Sequence, residues 1–208
     1  MSGGLTIAIP RGSLFEETLD LLDALGISTG EVRGNDRRLV FPGILTVRPS
    51  DVPTYVEHGA ADLGITGKDV LMEQAERAVY ELADLGYGHC RMIVAEPKDT
   101  DPMGERMRRS GQVRIATKYP RVAAAHFTAT GRQAEIVEVK GSVELAPITG
   151  VADAIVDLTA TGKTLVENGL VEREHIWEST ARLIANPVSH RLKAAQIDEL
   201  LERVRGLS

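Results

Sequence analysis

The chain alternates short apolar runs with stretches whose apolar residues recur three and four positions apart. A run of about four to eight apolar residues fits a buried strand, and the three–four spacing fits a helix packed on one side. Residues 5–10, LTIAIP, form the first run and predict a strand. Leu14, Leu19, Leu22 and Leu25 then follow at helical spacing, and Gly26 supplies a stop. Ser13 and Glu16 make the S-x-x-E pattern of a helix capping box. Residues 38–41 and 44–47 predict two strands joined at Pro42-Gly43. A short helix capped by Ser50 or Asp51 runs to His58, then a strand spans 63–66 and a helix continues through Glu76.

The second half repeats the alternation. Residues 90–95, CRMIVA, read as a buried strand, and the polar stretch 98–111 as a loop with one helical turn. Strand 113–117, helix 120–130 and strand 136–139 follow, and Ala154 and Val156 sit inside a further strand. Residues 177–185 read as one returning strand, and Leu192, Ala195, Leu200, Leu201 and Val204 as an amphipathic terminal helix. Such alternation implies an α/β fold with mostly parallel sheets. G-x-A-D precedes a strand and T-G-K follows it twice, at Gly59 and at Gly150. That echo fits two lobes of similar build with a ligand cleft between them.

Composition narrows the function classes. The 208 residues are 43% hydrophobic and 26% charged, within the range of a globular protein. No apolar run approaches the roughly 20 residues of a membrane helix. The first ten residues lack a basic segment of signal-peptide type, and a single cysteine, Cys90, excludes an internal disulfide. The expected compartment is the cytoplasm. A net charge of −6 argues against a broad nucleic-acid footprint. It leaves room for a small anion held by local cations such as Arg33, Arg37, Arg38 and Arg48, which taken alone are solvated surface arginines. The five histidines show no metal-ligand spacing and read as structural or surface residues. Trp177 reads as core or interface.

The chemistry-bearing stretch is DAIVDLTATGKTL, residues 153–165. An apolar strand delivers Asp157 to its C-terminal end, where open α/β sheets bind ligands. A Thr/Gly loop follows, with a helix starting near Gly162. Loop N–H groups and the hydroxyls of Thr159, Thr161 and Thr164 suit a phosphate, and Gly162 permits close backbone approach. Asp157 repels phosphate and suits a pair of sugar hydroxyls instead. The nucleotide-binding pattern G-x-x-x-x-G-K-[ST] fails, because the position five before Gly162 is Asp157. T-x-T-G-x-T by itself fits a helix-capping turn as well as a phosphate site.

Longer blocks decide between them. Asp157 with Thr161-Gly162-x-Thr164 looks like the loop by which phosphoribosyltransferases hold the 5′-phosphate and ribose of phosphoribosyl pyrophosphate, although two adjacent acids are usual there and this chain has Asp157-Leu158. Glu138-x-x-Gly141-Ser142-x-Glu144-Leu145-Ala146-Pro147, the segment from Gly150 to Leu165, and the segment DVPTYVEHGAADLGITGKD at 51–69 resemble the signature of the ATP phosphoribosyltransferases. So do Ile115-Ala116-Thr117-Lys118-Tyr119 and Arg182-Leu183-Ile184-Ala185-Asn186, and the order of the blocks is the family's.

The resemblance implies a two-lobed fold of the periplasmic-binding-protein type (type II), with lobe I at 1–90 and 178–208 and lobe II at 91–177. It implies attack of ATP N1 on C1 of phosphoribosyl pyrophosphate, the first step of histidine biosynthesis, with Mg²⁺ carried on the pyrophosphate rather than by protein ligands. Glu144 and Asp157 then hold the ribose, and Thr159, Ala160, Thr161, Gly162, Lys163 and Thr164 the 5′-phosphate. Arg37 faces the leaving pyrophosphate, Arg11 joins the catalytic set by keeping a positive charge where the family has lysine, and Arg48 and Asp69 lie on the ATP side. The family often has K-G-R after its first strand; here Arg11-Gly12-Ser13 stands there, so Arg33, Arg37 or Arg38 takes over the role of the missing arginine. The short form of the family implies a homodimer and a hetero-oligomer with a regulatory subunit resembling histidyl-tRNA synthetase, because nothing after the terminal helix is long enough for a regulatory domain. A small-anion binding module and a catalytically silent subunit of the same fold are the alternatives.

Overall fold

A computed structural model describes residues 4–35 and 37–207. The chain divides into two compact units, Met1–His89 with Thr180–Ser208, and Cys90–Ser179. Cys90, Glu178 and Ser179 thus group with the second unit, where the sequence had put Cys90 in the first lobe and Glu178 and Ser179 at its return.

The first unit runs β1 (Ile7–Pro10), α1 (Phe15–Ala24), α2 (Gly30–Arg33), β2 (Val40–Phe41), β3 (Ile44–Val47), a 3-10 turn at Pro49–Asp51, α3 (Val52–Glu57), β4 (Leu63–Gly67), α4 (Lys68–Glu73) and β5 (Tyr80–Asp84). The second unit contains β6 (Cys90–Pro97), α5 (Pro102–Ser110), β7 (Gln112–Thr117), α6 (Pro120–Ala129), β8 (Gln133–Glu138), α7 (Leu145–Ile148), β9 (Ala154–Thr159), α8 (Lys163–Glu167) and β10 (Leu170–Ser179). The chain returns through β11 (Ala181–Ala185), α9 (Pro187–Leu192) and α10 (Ala194–Arg205).

The first sheet has the order β2-β3-β1-β4-β11-β5 and the second β10-β6-β9-β7-β8. Parallel pairing holds for β3-β1-β4 and for β9-β7-β8. The remaining pairings are antiparallel, so the sheets are parallel only in part. Every residue of β1 and β4 is buried, as expected for strands covered on both faces. Leu19, Leu22, Ile197 and Leu201 cover one face of the first sheet, and Val52 and Val56 of α3 lie against the other. The α3 packing is close enough to require a glycine: a Cβ on Gly64 would stand 2.6 Å from both Val52 and Val56 side chains.

In the second sheet β9 alternates. Ala154 and Val156 join the core under α6, with Phe127 and Val122, whereas Ile155 joins Ala146 of α7 and Leu165 of α8. Strand periodicity therefore turns Asp157 to the side of α7 and α8.

Four local expectations change. Residues 98–111 hold a nine-residue helix, α5, rather than one turn. Its apolar residues, Met103 and Met107, are too few for a periodic signal. Its ends are nevertheless written in the sequence: the Asp101 side chain accepts from Gly104 N at 2.9 Å, Pro102 opens the helix, and Gly111 closes it at φ 71°. The returning strand is two strands, because β10 begins at Leu170 and lies at a sheet edge where charged residues dilute the apolar pattern. Trp177 packs from β10 against the Phe127 core. The terminal helix is two helices, α9 and α10, meeting at Lys193. Finally, α1 starts after Leu14 with no side-chain cap, so Ser13 and Glu16 do not form the capping box. Glu16 instead pairs with Arg33 at 2.7 Å.

Candidate active site

The site is built on the C-terminal ends of β7 and β9, neighbours in the second sheet. β9 ends on Asp157, Leu158 and Thr159, and a turn through Ala160, Thr161 and Gly162 leads into α8. Gly162 adopts φ 74°, a left-handed conformation that favours glycine and sharpens the turn. The turn is held by its own threonines. Thr159 Oγ1 accepts from Gly162 N at 2.9 Å, and Thr161 Oγ1 accepts from Lys163 N at 3.4 Å. Two loop N–H groups expected to meet a phosphate are therefore engaged internally. The remaining first-turn N–H groups of α8 have no helical acceptor ahead of them.

These residues enclose a cavity of about 260 Å³ lined by Lys118, Glu144, Asp157–Thr161 and Lys163–Leu165. Asp157 is 7% exposed, while Ala160, Thr161, Lys163 and Thr164 are open to solvent. Glu144 enters from the start of α7, after a turn in which Ser142 takes φ 48°. A non-glycine residue there is strained, and such strain gathers where a side chain must be aimed.

Burial disfavours the charged form of Asp157 and pushes its carboxyl above the usual carboxylate range; Lys118 acts against this, and the Glu144 charge adds to it. Lys118 Nζ stands 3.2 Å from Asp157 Oδ1, and Leu158 N donates to the same oxygen at 2.8 Å. Thr117, at the end of β7, fixes the backbone before Lys118: its hydroxyl donates to Val156 O at 2.7 Å and accepts from Tyr119 N at 2.8 Å. Lys118 belongs to the block Ile115-Ala116-Thr117-Lys118-Tyr119, from which the sequence alone assigns it no role. The available signal was its place one residue beyond a strand parallel to β9, at the ligand-binding end of the sheet.

Glu144, Asp157, Thr159, Ala160, Thr161, Lys163 and Thr164 thus meet at one cavity, with Gly162 in the same turn. Arg11, Arg37, Arg48 and Asp69 lie in the first unit. Arg11 Nη2 donates to the carbonyls of Asn35 and Arg38, both at 3.2 Å, and its guanidinium lies 4.9 Å above the Phe15 ring. Arg48 is exposed before the 3-10 turn. Asp69 is buried on α4, and its carboxylate lies so close to Gly67 that a Cβ there would meet Oδ1 at 2.0 Å. Among the candidates for the missing arginine role, Arg33 is held by Glu16, Asp20 and Asp23. Arg38 is held by Glu31 and stacked on Phe41. The Arg37 side chain is exposed.

The model of the ATP phosphoribosyltransferase family matches residues 48–206. The ATP phosphoribosyltransferase of Rubrobacter xylanophilus is 53% identical over 97% of this chain and 95% of its own length. Among solved structures, a chain of the ATP phosphoribosyl transferase (HisG:HisZ) complex from Thermotoga maritima superposes with a TM-score of 0.79 at 37% identity, covering 98% of both chains. The periplasmic aliphatic sulphonate binding protein SsuA from Escherichia coli matches with a TM-score of 0.62 at 12% identity, over 98% of this chain and 72% of its own, which identifies the periplasmic-binding-protein-like fold. On the family match and the full-length relatives, the chain belongs to the ATP phosphoribosyltransferase family.

Proposed function

We propose that the cavity at Asp157–Thr164 seats the 5-phosphoribosyl group in transfer from phosphoribosyl pyrophosphate to N1 of ATP, the first step of histidine biosynthesis. The observation that carries this reading is the meeting of two carboxylates, Asp157 and Glu144, with a hydroxyl-rich turn in one cavity. The turn suits the 5′-phosphate through Thr161, Thr164, Lys163 and the first-turn N–H groups of α8. The carboxylates suit the ribose hydroxyls.

In the reaction the adenine N1 lone pair forms the bond to C1, and the C1–O bond breaks with its electron pair leaving on pyrophosphate. Positive charge grows on the sugar and negative charge on the leaving group, so carboxylates beside the ribose and a cation beside the pyrophosphate stabilise the transition state. Arg37, exposed between Arg33 and Arg38 that are each held by acids, takes the pyrophosphate role, and Arg11 supports the same loop. Arg48 and Asp69 serve the ATP side. Adenine N1 is unprotonated at neutral pH, so no strong general base is required, and alignment of two anionic substrates supplies much of the rate.

Mg²⁺ fits this set as an ion carried on the pyrophosphate. Carboxylates such as Asp157 and Glu144 are hard oxygen donors of the type it takes, and when bound the ion would neutralise charge on the leaving group. A hetero-oligomer with a regulatory subunit is supported by the likeness to the HisG:HisZ complex, and a homodimer of this chain belongs to the same reading. No described helix is long and apolar enough to cross a membrane. The biosynthetic reaction favours the cytoplasm. Hydrogen exchange tests the site: phosphoribosyl pyrophosphate added alone should slow the amides of 159–166. Protection elsewhere with none in this turn would sink the assignment.

A further inference from the structure

Lys118 is a cation placed directly on the one deeply buried carboxylate of the cavity. Its ammonium lies 3.2 Å from Asp157 Oδ1, which also accepts from Leu158 N at 2.8 Å. The ammonium and the Leu158 amide thus both hold the carboxylate at Oδ1.

We infer that Lys118 is a positioning residue of the phosphoribosyl site, holding the Asp157 carboxylate ionised and fixed in orientation for the ribose. The inference rests on the cavity being the phosphoribosyl site. Three observations carry it. The register places Thr117 beside Val156 in parallel strands, so the next residues of the two strands, Lys118 and Asp157, are neighbours. The Thr117 hydroxyl pins that register to Val156 O at 2.7 Å. The Lys118 side chain is 42% exposed and that of Asp157 9%, so the ammonium stays hydrated while the carboxylate is enclosed. A carboxylate so enclosed would otherwise favour its neutral form. A neutral carboxyl stabilises an oxocarbenium-like sugar far less than a charged one.

The other charged groups around Asp157 do not replace Lys118. Glu144, from α7, opposes ionisation. Lys163, from α8, stands 3.8 Å from Glu167. Arg91, from β6, is held by Glu172 at 2.8 Å. Beyond β7, Glu138 on β8 pairs with Lys140. No histidine lines the cavity.

The test compares Lys118→Met, Lys118→Gln and Lys118→Arg with the native enzyme. The readouts are the pH profile of kcat/KM for phosphoribosyl pyrophosphate and the titration of the Asp157 carboxyl by ¹³C NMR. In Lys118→Met and Lys118→Gln the acidic limb and the carboxyl titration should move together to higher pH. Activity falls about tenfold on that limb for each unit of movement and recovers on the alkaline side. Lys118→Arg should restore both. An unmoved titration overturns the inference, as does a loss that is uniform in pH and not rescued by arginine. Asp157→Asn is measured in parallel. If it turns over normally, the phosphoribosyl reading fails. If it is impaired while the Lys118 variants keep the native profile, only the role of Lys118 fails.

Discussion

The turn at Asp157–Thr164 and the arginine stretch at Arg33–Arg48 were both candidate anion sites, and the structure treats them differently. The turn gathers its residues from one strand, one loop and one helix start, and nearly all of them line one cavity. The arginines are close in sequence but divide between tasks. Arg33 is saturated by three carboxylates, Arg38 is bound to Glu31 and Phe41, and Arg37 is exposed. A contiguous motif at a strand end carries its geometry with it, because the sheet fixes where each residue points. A cluster of like charges carries none, because the availability of each cation depends on distant acids such as Glu16 and Asp20.

The largest expected effect is at Asp157. Asp157→Asn keeps the side-chain shape and removes its charge, and it should lower kcat/KM on the order of 100- to 1,000-fold, as losses of preorganised electrostatic stabilisers do. Circular dichroism would establish that the variant is folded. Full turnover by a folded variant would remove Asp157 from the ribose site and erase the contrast between the two regions.

Next is the turn itself. Thr161→Ala with Thr164→Ala should weaken phosphoribosyl pyrophosphate about 100-fold and leave ATP binding in place, since a hydrogen bond to a charged oxygen contributes about 1.5–3 kcal/mol. Calorimetry with each substrate separates the two affinities. Equal weakening of both would mean that the turn only caps α8.

The arginines give a smaller and more diagnostic pair. Arg37→Ala should lower kcat about tenfold with less change in KM, because charge on the pyrophosphate grows only as the bond breaks. Arg33→Ala should instead lower the melting temperature and leave the kinetics in place, since its partners are Glu16, Asp20 and Asp23. If the two phenotypes were exchanged, the division of the stretch into a structural and a functional arginine would be reversed.

The limits of the sequence follow the same physics. β1, β4, β6, β7 and β9 were legible because buried strands are continuous apolar runs bounded by turn residues. α5 was hidden because two methionines make a weak stripe, and β10 because an edge strand carries Glu172, Arg173, Glu174 and Glu178. In the site, the residues of 157–164 were legible as a motif. Lys118 was not, since its closeness to Asp157 is created by parallel pairing of strands 39 residues apart. Burial of Asp157 was equally hidden, because it depends on α7 and α8 folding over the end of β9.

That burial gives the smallest effect. Asp157 and Glu174 lie in the same unit and are perturbed in opposite directions. Burial raises the Asp157 carboxyl in the folded state. Below its unfolded value the group is neutral in both states and imposes no penalty; as pH rises through the folded value, stability is lost. At neutral pH ionised Asp157 therefore opposes folding, and Asp157→Asn should raise the melting temperature, the gain shrinking to nothing on acidification. Glu174 is lowered chiefly by its hydrogen bonds with Arg132, with burial opposing and His126 adding to the effect. Its contribution is present above the unfolded value and is lost as pH falls through the folded one. Glu174→Gln should accordingly lower the melting temperature at neutral pH, and that deficit should close in acid. Opposite signs from two carboxylates in one unit distinguish a group held for function from one held for the fold. A melting temperature lowered by Asp157→Asn at neutral pH would show that the Lys118 pair outweighs burial, making Asp157 a structural carboxylate like Glu174.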